Sequence, residues 1–207
     1  MSDRESIYIA GLDLGRPHEF TALSVLERTE VPSSNDASRL VRHYAVRHLE
    51  RLPPATPYPE VFMRLAEVFA SPPMHGSKLV VDYTGVGRPV LDMLRKAKVG
   101  ASITPLLVTS GKKSSSDDLG GWLVPRQELA ATLQVLLQSR RLRVAPALPE
   151  AAMLAKELAA FQVKVSESAE MEMDAWRQGA HDDLVLAVAA AAAWLGEHAM
   201  RRLVVWV

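Results

Sequence analysis

Apolar runs and amphipathic stretches alternate along the 207-residue chain, and the period of that alternation sets out most of its elements. Residues 7–15 (Ile-Tyr-Ile-Ala-Gly-Leu-Asp-Leu-Gly) form a mostly apolar, strand-length run of the kind buried on both faces. A polar, turn-prone stretch at 15–19 leads into the alternating run 21–26, which predicts an antiparallel hairpin. Residues 30–38 read as a loop. Over 40–49 the alternation is partial: Val41, Ala45 and Leu49 share one face, while Tyr44 and Val46 share the other with Arg42 and His48. This reads as a third strand.

The period then changes. A proline-rich connector, 53–57, precedes a stretch at 60–70 where Val61, Phe62, Leu65, Val68 and Phe69 recur at helical spacing, and Pro72-Pro73 ends it. A strand at 78–82, a glycine turn at 83–89, a helix at 90–97 and a strand at 103–108 follow. Strands and helices in that order indicate parallel strands joined by crossover helices. Residues 109–121 are the most polar and glycine/serine-rich segment and are expected to be a mobile loop. A helix starts at Pro125, with Leu129, Leu133, Leu136 and Leu137 as its apolar stripe, and ends at an arginine cluster. A short strand at 142–144, a helix at 148–161, a hairpin over 162–176 and a long final helix from 181–183 to about 198 complete the reading.

Composition narrows the chemistry. There is no cysteine, which excludes disulfides, thiolate metal sites and thiol nucleophiles. Lysine plus arginine and aspartate plus glutamate number 24 each, so net charge favours no partner and local clusters matter more. The basic clusters are Arg39-Arg42-Arg47, Lys112-Lys113, Arg140-Arg141-Arg143 and Arg201-Arg202. A charged N-terminus without a signal-peptide core and the lack of any bilayer-length apolar run give a cytoplasmic expectation, with no membrane partner.

Three acidic positions carry the chemistry: Asp13 in the first strand, Asp82 ending the fourth, and Asp182-Asp183 opening the last helix. Each has an ordinary explanation. The Asp182-Asp183 pair suits helix capping, and Asp82 suits the start of a turn. Asp13 is harder to dismiss, because a buried mid-strand carboxylate costs several kcal/mol unless compensated; a basic partner is the competing explanation. If the first and fourth strands are neighbours, a site forms at the carboxyl end of the fourth strand. Clustered carboxylates repel one another, and divalent cations with hard oxygen ligands, magnesium or manganese, would neutralise them.

The segments around these acids resemble the C-terminal nuclease domain of tailed-phage terminase large subunits. They are Gly11-Leu12-Asp13-Leu14-Gly15 with Thr21-Ala22-Leu23, Val80-Val81-Asp82-Tyr83-Thr84-Gly85-Val86-Gly87 and His181-Asp182-Asp183-Leu184-Val185-Leu186-Ala187. Val124-Pro125-Arg126-Gln127-Glu128-Leu129 and the segment 154–161 extend the likeness over most of the chain. It implies one ribonuclease H-like α/β domain spanning 1–207: a five-stranded mixed sheet, first three strands antiparallel, with helices on both faces and an extra β-hairpin in the C-terminal half. It implies an endonuclease that cuts double-stranded DNA during genome packaging, using two Mg2+ or Mn2+ ions held by Asp13, Asp82, Asp182 and Asp183. Of the last two, Asp183 is favoured as the direct ligand. His181 and Thr84 are expected beside the ligands. The family's wider partners, a terminase small subunit, a portal or a separate ATPase domain, belong to the same expectation, as does a host-cell cytoplasmic location if the chain is phage-encoded.

The chain lacks the Gly-x-x-x-x-Gly-Lys-Ser/Thr phosphate loop of the full terminase ATPase, so translocation is outside the expected activity. The expected mechanism places one ion at Asp13 and Asp183 to activate water and a second near Asp82 to stabilise the leaving 3′ oxygen, the two about 3.5–4 Å apart. Arg16, Lys112, Lys113, Arg140, Arg141 and Arg143 are the candidate phosphate contacts, since they flank the acidic ends or adjoin the polar loop. The alternatives are a non-catalytic module that binds DNA or packaging machinery, a Holliday-junction-resolvase-like nuclease, and half of an actin-like sugar kinase, which lacks its second Asp-x-Gly lobe here.

Overall fold

A computed structural model describes residues 6–33, 36, 38–167, 182–189 and 197, with 161–167 described as backbone. Three strands open it: β1 (Ile7–Asp13), β2 (Thr21–Pro32) and β3 (Leu40–Leu52), each antiparallel to the next. Then come α1 (Tyr58–Ala70), β4 (Lys78–Asp82), α2 (Arg88–Ala97), β5 (Ser102–Thr109), β6 (Ser115–Ser116), β7 (Trp122–Pro125), α3 (Arg126–Gln138), β8 (Leu142–Val144), α4 (Ala151–Glu167) and α5 (Asp183–Leu186). All eight strands form one mixed sheet in the order β6-β7-β5-β4-β1-β2-β3-β8. The additions to the expected five strands sit at its two ends, with β6 and β7 beyond β5 and the short β8 beyond β3.

The apolar run of β1 is explained by cover on both faces. Ala10, Leu12 and Leu14 pack with α1 and α2 residues such as Leu65, Phe69 and Leu94, while Ile9 points to the other face, with Leu129, Leu133 and Leu184. The same alternation divides β4, with Leu79 and Val81 on the α1–α2 side and Val80 on the other. All three are fully buried, each contributing on the order of 1.5–3 kcal/mol. Parity therefore turns Asp13 and Asp82 toward the α3–α5 face.

The partial alternation of β3 has a local cause. Val25 pairs with His48 but Leu26 with Val46, so one residue of β3 is left over and the facing parity inverts there. Tyr44 and Val46 before this bulge, and Leu49 after it, thus reach the same core.

Two expectations change. The segment 109–121 is not loop throughout: β6 pairs antiparallel with β7, and the Asp117 carboxylate accepts from the amides of Leu119 and Gly121 at 2.8 and 2.6 Å. The helix expected to end at 161 continues to Glu167 as α4, so 162–167 are helical rather than the first strand of a hairpin. The rest of that hairpin, and most of the long final helix beyond Ala189, lie outside the described residues. Among the described residues, no helix is long and apolar enough to cross a membrane.

Candidate active site

The site grows from the register of two parallel strands. Asp13, last in β1, is the cross-strand partner of Asp82, last in β4, so two carboxylates stand side by side at one sheet end and on one face. The chain leaves β1 through a tight turn at Gly15, where a side chain would strike the Phe20 carbonyl oxygen at 2.2 Å. It leaves β4 through Thr84, whose amide donates to Asp82 Oδ1 at 2.9 Å and whose hydroxyl donates to the same oxygen. The amide of Val108 in turn donates to Thr84 Oγ1 at 2.8 Å, tying the turn to β5.

The third acidic segment reaches this face through α5. The Ser24 hydroxyl of β2 donates to the Ala187 carbonyl at 2.9 Å, and Glu157 of α4 accepts from the Leu184 and Val185 amides at 3.0 and 3.1 Å through Oε2. Glu157 thereby satisfies amides of the first helical turn that have no partner within the helix. This anchorage sets Asp182 and Asp183 over the strand ends. Asp183 and Asp82 are buried, whereas Asp13 and Asp182 keep partial exposure.

Two arginines enter among these acids. Arg126, the first residue of α3, donates to Asp182 Oδ2, both side chains remaining about a quarter exposed. Arg51, level with Asp13 across Ala22 of β2, donates to Asp183 Oδ2 at 2.6 Å and lies 3.8 Å from Glu157 Oε1. Its guanidinium also covers the Phe20 ring, 4.0 Å from the centroid. Among the described residues, neither Asp13 nor Asp82 forms an ion pair, and the basic partner considered for Asp13 is limited to the charge of nearby Arg126.

The electrostatics follow from this crowding. Burial, then the charges of Asp82, Asp183 and Asp182, raise Asp13 well above the ordinary carboxylate range, and Arg126 offsets only part. Burial also raises Asp82, against the hydrogen bonds from Thr84. Glu157 is pushed up to about 7, mainly by burial. Burial lowers Arg126, opposed by Asp182, Asp82 and Asp13. The protein thus gathers more negative charge than its arginines neutralise.

As a donor set, four carboxylates suit a hard divalent cation. Asp13 and Asp82 meet this test best, being in register, on one face and raised in pKa mainly by burial. Among the described residues, no three such groups are already gathered as a ligand cluster, and two of the four acids hold guanidinium groups instead.

The expected phosphate contacts divide. Arg16 lies against the β4 turn, its Nε donating to the Gly85 carbonyl at 3.0 Å, and exposed Lys112 and Lys113 follow β5 at the same sheet end. The cluster Arg140, Arg141 and Arg143 does not join them. Arg143 is level with Ala45, six residues along β3 from Arg51 and so roughly 20 Å away along the strand. Arg141 there meets Glu197 at 3.1 Å. His181, expected beside the acids, lies outside the described residues. Sequence reasoning missed Arg51, Arg126 and Glu157. Arg126 and Glu157 fall within segments of the resemblance, and only tertiary contact reveals what they do.

Two solved structures share this fold. The large terminase nuclease from thermophilic phage G20c superposes with a TM-score of 0.55 at 19% identity, over 93% of this chain and 83% of that one. The same nuclease with bound zinc gives 0.50 at 18% identity, over 93% and 82%. Thermus thermophilus RuvC aligns at 0.38 and 15% identity, over 92% and 95%. No family model matches the sequence, and no curated protein does. The fold is therefore the ribonuclease H-like one, with its first three strands antiparallel.

Proposed function

We propose that this chain is a divalent-metal-dependent endonuclease that hydrolyses phosphodiester bonds of double-stranded DNA, residues 1–207 serving as one nuclease domain. The observation that carries it is the in-register pair Asp13–Asp82, with the Asp182–Asp183 start of α5 set against the same sheet face. A fold shared with a phage terminase nuclease, one of whose structures contains zinc, supports the reading.

Asp13, Asp82 and Asp183 would hold the ions, two of Mg2+ or Mn2+, with Asp182 as the further oxygen donor. Such ions supply a metal-bound water of lowered pKa and charge stabilisation for in-line displacement. The chain's own residues prepare the site. Thr84 fixes the Asp82 carboxylate, Glu157 fixes the start of α5, and Arg51 fixes Asp183. Arg16, Lys112 and Lys113 line the same sheet end and would bind phosphates without reading bases.

Incubation with supercoiled plasmid and Mn2+ or Mg2+ tests this reading. Nicking and linearisation are expected, and folded Asp13→Ala and Asp82→Ala variants should lose both. Undiminished cutting by those variants overturns the assignment. Binding without cutting across metals and DNA forms would favour a non-catalytic packaging module, and preference for branched DNA would favour a resolvase.

A further inference from the structure

Among the described residues, Arg126 is a basic residue whose charge acts on Asp13, Asp82 and Asp182 together while its guanidinium bonds Asp182. Resting on the nuclease reading above, we infer that Arg126 is the resident counter-cation of the acid cluster: an incoming divalent ion competes with it for Asp182, and the displaced guanidinium then becomes a phosphate contact.

Three features of the site carry this. Both side chains of the pair keep about a quarter of their surface exposed, so the guanidinium can leave the carboxylate from the solvent side. Arg51, in contrast, is nearly fully buried against Asp183, packs on Phe20 and approaches Glu157, and so is built to stay. Arg126 also begins α3 directly after β7, whose Pro125 pairs with Thr109 of β5. That anchors its backbone at the sheet end from which Lys112 and Lys113 extend. A planar guanidinium leaving a carboxylate finds a matching acceptor in a phosphate.

Competition for one carboxylate is a linkage: whatever weakens the arginine's hold must tighten the ion's by the same factor. Manganese titration followed by electron paramagnetic resonance, without DNA, reads this directly. Arg126→Gln should bind Mn2+ more tightly than wild type, on the order of tenfold, and Arg126→Lys by less. Unchanged or weaker binding in Arg126→Gln overturns the inference, the latter by making Arg126 a support for the ligand set. If Arg126→Gln does not fold, the wild-type Arg126 side-chain 15Nε resonance, assigned against Arg126→Lys, should shift during a Mg2+ titration; a resonance indifferent to saturating Mg2+ overturns it equally. Asp13→Asn separates this from the parent reading. Mn2+ binding lost in Asp13→Asn but indifferent to Arg126 defeats the inference alone, whereas wild-type binding that is absent, or unaffected by Asp13→Asn, defeats the nuclease reading.

Discussion

Asp13 and Asp82 end two paired strands, and neither forms an ion pair among the described residues; Asp182 and Asp183 open a helix, and each bonds a guanidinium. The strand pair is placed by register, which the core on both faces fixes. Slipping either strand by one residue would turn its aspartate to the α1–α2 side. The helix pair is placed by long-range contacts, Glu157 to the α5 amides and Ser24 to Ala187. A strand pair without an ion-pair partner thus faces a helix pair neutralised by arginines, which is an arrangement a cation can close.

Several changes should sharpen or break that contrast. The largest effect is expected from Asp13→Asn, which removes a proposed ligand without altering the strand. Cleavage should fall on the order of 10³-fold or more, while the melting temperature of metal-free protein should rise, because the ionised carboxylate is disfavoured where it stands. A melting temperature that falls would mean that Asp13 is satisfied by the fold. Next is Arg51→Met, which leaves Asp183 and Glu157 buried together without their cation; denaturant unfolding should show a loss of about 3–5 kcal/mol. A loss comparable to that of an exposed pair would contradict the fixed role of Arg51 beside Asp183.

A smaller effect concerns pH. Glu157 is raised to about 7 in the fold, so its neutral form is the stabilising one. The stability it lends is complete below its unfolded pKa, near 4.3, and is lost as pH rises through about 7. Glu157→Gln keeps an acceptor for the Leu184 and Val185 amides, and should flatten the stability profile of metal-free protein across that window. A slope identical to wild type would contradict the assignment. Smallest is the double change Lys112→Ala and Lys113→Ala, which should weaken DNA binding about equally across sequences and reduce the log–log salt slope by about two.

How much of this was legible in the sequence depends on the range of the interactions. Periodicity placed β1, α1, β4, α2 and β5, because each is specified by which faces it buries, and a conspicuous acid in β1 marked the site. Residues 162–167 went wrong because Val163 and Val165 alternate locally, while the helix begun at Ala151 propagates through them. The Arg140–Arg143 cluster was expected among the phosphate contacts as flanking the acidic ends or adjoining the polar loop, but pairing of β8 with β3 carries it away from that end. Arg51 gave no local signal; an arginine near a strand end is ordinary until Ala22 brings it level with Asp13.

The central claim, that these acids form a divalent-ion site, is tested most directly by diffraction from crystals grown with Mn2+, using anomalous scattering to locate the ion. Anomalous density between the carboxylates of Asp13 and Asp82, absent from Asp13→Asn crystals, is the expected result. A protein whose Asp13 is instead closed by an arginine or lysine, with no anomalous density at the sheet end, would contradict it.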